Sequence, residues 1–184
     1  RAGDTAAGRR RRALTPPIPR RYVPRAMGSQ DATRDRPDPG AGRAAFVSPE
    51  TRYLDLPGEF PLELGGMLPS LRIGYRTWGT LDAAGSNAVV VCHALTGSAD
   101  ADLWWTRMFG PGRALDPERD FVVCSNILGS CYGTTGPLSP RAGAGPRSPG
   151  DSRWAGDFPA ITVRDQVRLQ QRLLDALAVE RVRL

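Results

Sequence analysis

VVVCHALTGS, residues 89–98, carries a run of β-branched residues into the chain's single histidine and then into a glycine-containing turn. The segment AVVVCH (residues 88–93) shows no polar alternation, which suits a strand buried on both faces of a parallel sheet. DFVVCSN (120–126) has the same character. Two earlier segments, PLELGG (61–66) and LRIGYRTWG (71–79), read as strands joined by a Gly-Met-Leu-Pro turn. In the second, Leu71, Ile73, Tyr75 and Thr77 alternate with Arg72, Gly74, Arg76 and Trp78, a period of two. LDAAGSN makes a turn, and residues 101–109 suggest a short helix. A Gly, Pro and Ser-rich loop runs from residue 127 to about 156. The clearest helix covers 160–178: Thr162 and Asp165 form a capping-box pair, and Val163, Val167, Leu174 and Leu177 mark an apolar face that Leu173 widens. ERVRL (180–184) begins a further strand. Strands alternating with helices imply an α/β fold whose central sheet is mixed but mostly parallel. Active sites of such sheets lie beyond the carboxyl ends of the strands, here the turns after His93 and Asn126.

The length of 184 residues suits one domain with a real core. Charge divides unevenly along it. Residues 1–50 hold 11 Arg against 5 acidic residues, whereas residues 51–184 hold 14 of each, and there is no Lys. A nucleic-acid module carries its basic face on the folded domain, so no nucleic-acid partner is expected. Residues 1–50, rich in Arg, Pro, Ala and Gly without apolar periodicity, read as a disordered tail, and residues 51–184 as the folded part. Arg9 to Arg12 resemble a twin-arginine signal, but the following LTPPIPRRYVPR lacks an apolar h-region. A nucleic-acid-contacting arm and a mitochondrial presequence are the rival uses of this tail, the second weakened by its prolines. Met27 is a candidate initiator. No apolar run approaches the ~18 residues of a membrane span, so no membrane partner is expected. Cys92, Cys124 and Cys131 lack zinc-site spacing, and no metal is expected. They read as reduced, buried thiols of a cytoplasmic protein.

Beyond the tail the chain resembles the N-terminal part of the homoserine O-acetyltransferase family. The matching residues are LELGG (62–66), YRTWGTL (75–81), VCHALTG (91–97), GPGRALD (110–116), VVCSNILGSCYGTTGP (122–137) and DFPAITVRDQVRLQQRLLDAL (157–177). The resemblance implies an α/β-hydrolase fold and ping-pong transfer from acetyl-CoA to L-homoserine in methionine biosynthesis, by way of an acyl-serine. It implies a homodimer for the full-length protein and no tightly bound cofactor, acetyl-CoA being the acyl-donor substrate. In the family a GGSMGG-like nucleophile elbow follows the strand that ERVRL begins, and the triad Asp and His come later still. The Ser, Asp and His of the triad are therefore not expected within residues 1–184, and these residues alone are expected to be inactive. Such a fragment is also expected to be poorly soluble, exposing the edge of the 120–126 strand and the apolar face of the 160–178 helix.

His93 is not expected to be the base. Cys92 and His93 are strand neighbours and point to opposite faces, so they cannot share a proton. By the resemblance, the turn after this strand supplies an oxyanion-hole donor, the backbone N–H of Leu95. Ala94, Leu95, Thr96, Gly129, Cys131, Tyr132 and Gly133 are then expected to border the substrate pocket. Ser130 departs from the family's GGCYG or GGCKG pattern, and would cost about 1 kcal/mol if that position needs positive φ. Cys131 has no base in view and reads as a buried thiol. The alternatives are a succinyl-CoA- or serine-using enzyme of the same fold, or a non-catalytic truncated or split-gene product.

Overall fold

The computed structural model describes residues 47–141 and 152–183. Most of the expected tail (residues 1–46) and residues 142–151 of the long loop lie outside them. Four strands form one sheet: β1 (Arg52–Pro61), β2 (Met67–Trp78), β3 (Ala88–Val91) and β4 (Phe121–Ser125). Their order is β1-β2-β4-β3. β1 and β2 are an antiparallel hairpin, β2 runs antiparallel to β4, and β3 and β4 are parallel, so the sheet is mixed.

The hairpin departs from expectation. Of residues 61–66, Pro61 ends β1 and 62–66 are the turn rather than a strand: Leu62 N–H donates to the Gly66 carbonyl at 3.1 Å, and Gly65 and Gly66 take φ of 94° and 79°. Only glycine enters that region freely, so the pair reverses the chain. The first strand instead uses RYLDLPGEFP, whose Pro57 and Gly58 hide it from a periodicity search. Proline is tolerated because β1 is an edge strand, and the register shifts between Pro57 and Phe60.

β4 explains its own lack of alternation. Val123 joins one apolar cluster, with Phe60, Leu68, Ile73, Leu169 and Leu173. Val122 and Cys124 point the other way, into a second cluster with Val89, Val91, Ala101 and Leu115. β4 is also interior, flanked by β2 and β3, which corrects the expectation that its edge is exposed. Among the described residues the outer side of β3 pairs only at its start. There Ala88 bridges Val182 in parallel, and Arg183 N–H donates to the Ala88 carbonyl at 2.7 Å.

Helix α1 spans only Ala101–Trp104 and stops short of residue 109. The chain folds back instead, with Leu115 N–H donating to Met108 O and Gly110 N–H to Leu115 O, both at 2.9 Å. Helix α2 (Val163–Ala176) begins with the expected capping box: Thr162 Oγ1 accepts from Asp165 N–H, and Thr162 N–H donates to Asp165 Oδ2 at 3.0 Å. The buried face matches the expected one in part, with Leu173, Leu174 and Leu177 packing into the core as expected. Leu169, Leu173 and Asp165 are buried, whereas Val163 and Val167 are 79% and 54% exposed. Two polar residues hold this inner side. Asp165 also accepts Glu63 N–H at 3.1 Å, and the Gln166 amide bonds both backbone groups of Leu128 at 2.8 Å. No helix among the described residues is long and apolar enough to cross a membrane.

Candidate active site

Because β3 and β4 are parallel and adjacent, their carboxyl ends bring the 92–98 and 126–135 segments side by side. The first closes as a tight turn, Gly97 N–H donating to the Ala94 carbonyl at 2.8 Å. A methyl at Gly97 would approach Ala94 O at 3.2 Å and His93 Cβ at 3.3 Å, so the turn leaves little room for a side chain there. Leu95 sits at its crest with its side chain exposed. Among the described residues the Leu95 N–H donates to no protein acceptor.

His93 is buried and holds this turn from within. Its Nδ1 lies 2.7 Å from the Ala94 carbonyl. A carbonyl only accepts, so Nδ1 carries the proton. Nε2 is buried without a partner among the described residues. Cys92 lies on the α2 side, 4.0 Å from Gln170 Nε2, and shares no hydrogen bond with His93.

Behind the turn stands an ionic cluster. Arg76 Nη1 donates to Asp100 Oδ1 at 2.9 Å and to Asp102 Oδ1 at 2.7 Å, and Nη2 reaches Asp102 Oδ2 at 3.1 Å. Arg76 also stacks over the Trp78 ring, 4.8 Å from its centroid. Asp100 Oδ2 accepts from Ser98 Oγ at 2.7 Å, and Ser98 O accepts from Trp104 Nε1 at 3.1 Å. The cluster thus couples β2 to the end of the turn. Nothing in the alternation of β2 marks Arg76 as buried, because its face is polar in sequence and its two carboxylate partners arrive from another segment.

An open pocket of about 330 Å³ lies between the two segments, lined by Ala94, Thr96, Gly97, Ser98, Trp104 and Tyr132. Of the expected pocket residues, Ala94, Thr96 and Tyr132 meet here, and Tyr132 OH approaches the Thr96 carbonyl at 3.5 Å. A methyl at Gly129 would meet the Phe158 ring and one at Gly133 the Tyr53 ring, and neither glycine is among the lining residues. Positive φ in this loop falls on Gly129 (88°) and Gly133 (93°) and not on Ser130, so Ser130 carries no such strain. Among the described residues no cluster of three or more His, Cys, Asp or Glu is placed to hold a metal.

Cys92 and Cys131 are exposed, which corrects their reading as buried thiols; Cys124 is buried. The reason is position. Cys92 follows the last paired residue of β3 and Cys131 lies in the loop, whereas Cys124 is inside β4. Burial pushes the Cys124 thiol up to about 12, because the thiolate would lose its hydration. A thiol-reactive reagent at pH 8 is therefore expected to label two thiols in the native protein, and Cys124 only after denaturation. Peptide mapping of the label checks this, and prompt native labelling of Cys124 would contradict its burial.

No protein-family model matches the chain. It is 54% identical over 140 residues to the homoserine O-acetyltransferase of Chlorobaculum tepidum, a match covering 76% of this chain and 38% of that protein. The chain thus spans well under half the length of the curated relatives it matches. Among solved structures, the homoserine O-acetyltransferase of Bacillus anthracis superposes with a TM-score of 0.60 at 28% identity, over 72% of this chain and 38% of the other. Esterase E22 superposes with a TM-score of 0.60 at 29% identity, over 72% and 39%. The sheet, its order and its parallel β3–β4 pair are part of an α/β-hydrolase fold, and the chain belongs to the homoserine O-acetyltransferase family.

Proposed function

We propose that these residues form part of an acyltransferase that moves an acetyl group from acetyl-CoA to the hydroxyl of L-homoserine. The observation that carries this reading is the 54% identity to a homoserine O-acetyltransferase over 140 residues. In the reaction a serine oxygen attacks the thioester carbonyl, and a histidine takes the serine's proton. CoA leaves as the thiol, and the homoserine hydroxyl then attacks the acyl-serine. The described residues contribute the turn after β3. Leu95 N–H, at the crest of a turn pinned by Gly97 and His93, donates to the oxygen that becomes O⁻ in each tetrahedral intermediate. Ala94, Thr96 and Tyr132 border the acyl group and acceptor, with Gly129, Cys131 and Gly133 in the neighbouring loop. His93 is not the base, because Nδ1 is committed to the Ala94 carbonyl and Nε2 is buried.

The same reading makes the full-length protein a cytoplasmic homodimer of methionine biosynthesis, with acetyl-CoA as its donor and no tightly bound cofactor. Residues 1–50 act as a dispensable tail. Residues 1–184, which contain one histidine, transfer no acyl group alone.

The test compares residues 1–184 with the protein extended through the family's full length, following CoA release and O-acetylhomoserine by mass spectrometry. The expected result is homoserine-dependent release by the extended protein and none by residues 1–184. CoA or acetate release independent of homoserine would instead indicate a hydrolase, the activity named for esterase E22. Preference for succinyl-CoA or for serine would overturn the assigned donor or acceptor.

A further inference from the structure

Asn126 stands one residue beyond β4 and is 1% exposed, a costly place for a side-chain amide unless both its ends are satisfied. Both are. Oδ1 accepts the Ala99 N–H at 2.7 Å, and Nδ2 donates to the Tyr132 carbonyl at 2.6 Å. The assignment of oxygen and nitrogen follows from the partners, since an N–H only donates and a carbonyl only accepts. Its backbone is equally committed. Asn126 N–H donates to Gly74 O at 2.8 Å, and its carbonyl accepts from Thr134 Oγ1 at 2.8 Å. Thr134 Oγ1 in turn accepts the Gly74 N–H at 3.0 Å. Gly74 is what lets these groups approach: a methyl there would lie 3.1 Å from Tyr132 O and 3.3 Å from Asn126 Nδ2.

The two ends of this amide reach the two segments that border the pocket. Ala99 directly follows Ser98 of the lining, and Tyr132 is lining itself. We propose that Asn126 is a positioning residue of the acyl-transfer site, one buried amide that sets the spacing between the turn bearing Leu95 and the loop bearing Tyr132. Its catalytic part rests on the acyltransferase reading above. Among the described residues no other side chain hydrogen-bonds both segments from the buried side. The remaining link, Tyr132 OH to Thr96 O, is long and at the surface.

Asn126→Asp and Asn126→Ala separate the two halves of the clamp. Aspartate keeps an acceptor for Ala99 N–H but sets a carboxylate oxygen against the Tyr132 carbonyl, and alanine removes both links. In the extended protein, amide hydrogen exchange is expected to quicken about tenfold at Gly129 and Thr135 in Asn126→Asp, with Ala99 unchanged. In Asn126→Ala it is expected to quicken at Ala99 as well. The rate constant of acyl-enzyme formation is expected to fall by about 10² in both variants, the scale of a misplacement of about 1 Å. Leu169→Ala, a core change on α2, serves as the stability control and should leave the rate per folded molecule within about threefold.

The proposal is overturned if folded Asn126→Ala keeps the wild-type exchange at Ala99 and Gly129, or if Leu169→Ala loses as much rate as Asn126→Asp. Should the Asn126 variants not fold, Gly74→Ala, which crowds the same junction, decides by the same two readouts. A wild-type protein that transfers no acyl group would instead refute the acyltransferase reading, and the exchange pattern would still decide whether Asn126 holds the two segments.

Discussion

Leu95→Pro lowers the rate of acyl-enzyme formation in the extended protein by about 10² to 10³, the effect typical of removing one oxyanion donor. The Leu95 side chain is 86% exposed, so core packing contributes little at this position. What proline removes is the N–H, which has no protein acceptor among the described residues. Proline also fixes φ and restricts Ala94, so a loss alone would be ambiguous. Leu95→Ala is the paired variant, because it keeps the N–H and deletes only the side chain. Rapid-quench measurement of acylation should show alanine close to wild type and proline slow, with both variants folded by circular dichroism. Equal losses would transfer the role to the side chain. A folded proline variant that acylates at the normal rate would reduce the 93–98 segment to a plain turn.

The second large effect is one of stability. Arg76→Leu is expected to destabilise the fold by about 3 kcal/mol, at the lower end for breaking a buried ion pair. The Arg76 side chain is 10% exposed, and its removal leaves the Asp100 side chain, at 13%, with a buried uncompensated charge. Asp102 is 27% exposed and can recover hydration, which is why the higher values are not expected. Arg76→Lys should fall in between, since it keeps the charge but not the two-pronged contact with Asp102. Asp102→Asn should cost about 1 kcal/mol or less. Urea denaturation of the four proteins checks the order. A loss below about 1 kcal/mol for Arg76→Leu would mean that water reaches the cluster. The same variant should loosen the turn, because Asp100 also accepts from the Ser98 hydroxyl.

The apolar run in DFVVCSN is enough to place β4 inside a covered sheet, because a strand packed on both faces needs apolar side chains on both, and the run in AVVVCH sends Val89 and Val91 of β3 into the second cluster. The alternation in LRIGYRTW places Leu71, Ile73 and Tyr75 in the core for the same reason. The capping box at Thr162 and Asp165 is legible because its partners are three residues apart. Long ordered motifs from LELGG to the α2 segment carry the family. All these signals are local, or repeat at a short period along the chain.

What the tertiary structure decided is everything whose partner lies far away in sequence. β1 is hidden by Pro57 and Gly58 and exists because β2 offers it a register. The α2 face turns away from Val163 and Val167 because Asp165 and Gln166 find backbone partners at Glu63 and Leu128. Arg76 and Asn126 look like a surface arginine and a turn asparagine, and both are buried. Burial of a polar group is favourable only where its hydrogen-bonding groups are matched. For Arg76 the match comes from Asp100 and Asp102, and for Asn126 from Ala99 and Tyr132, segments that only the β1-β2-β4-β3 order brings together. Apolar burial repeats along an element and can be read from it, whereas polar burial depends on which distant group arrives opposite.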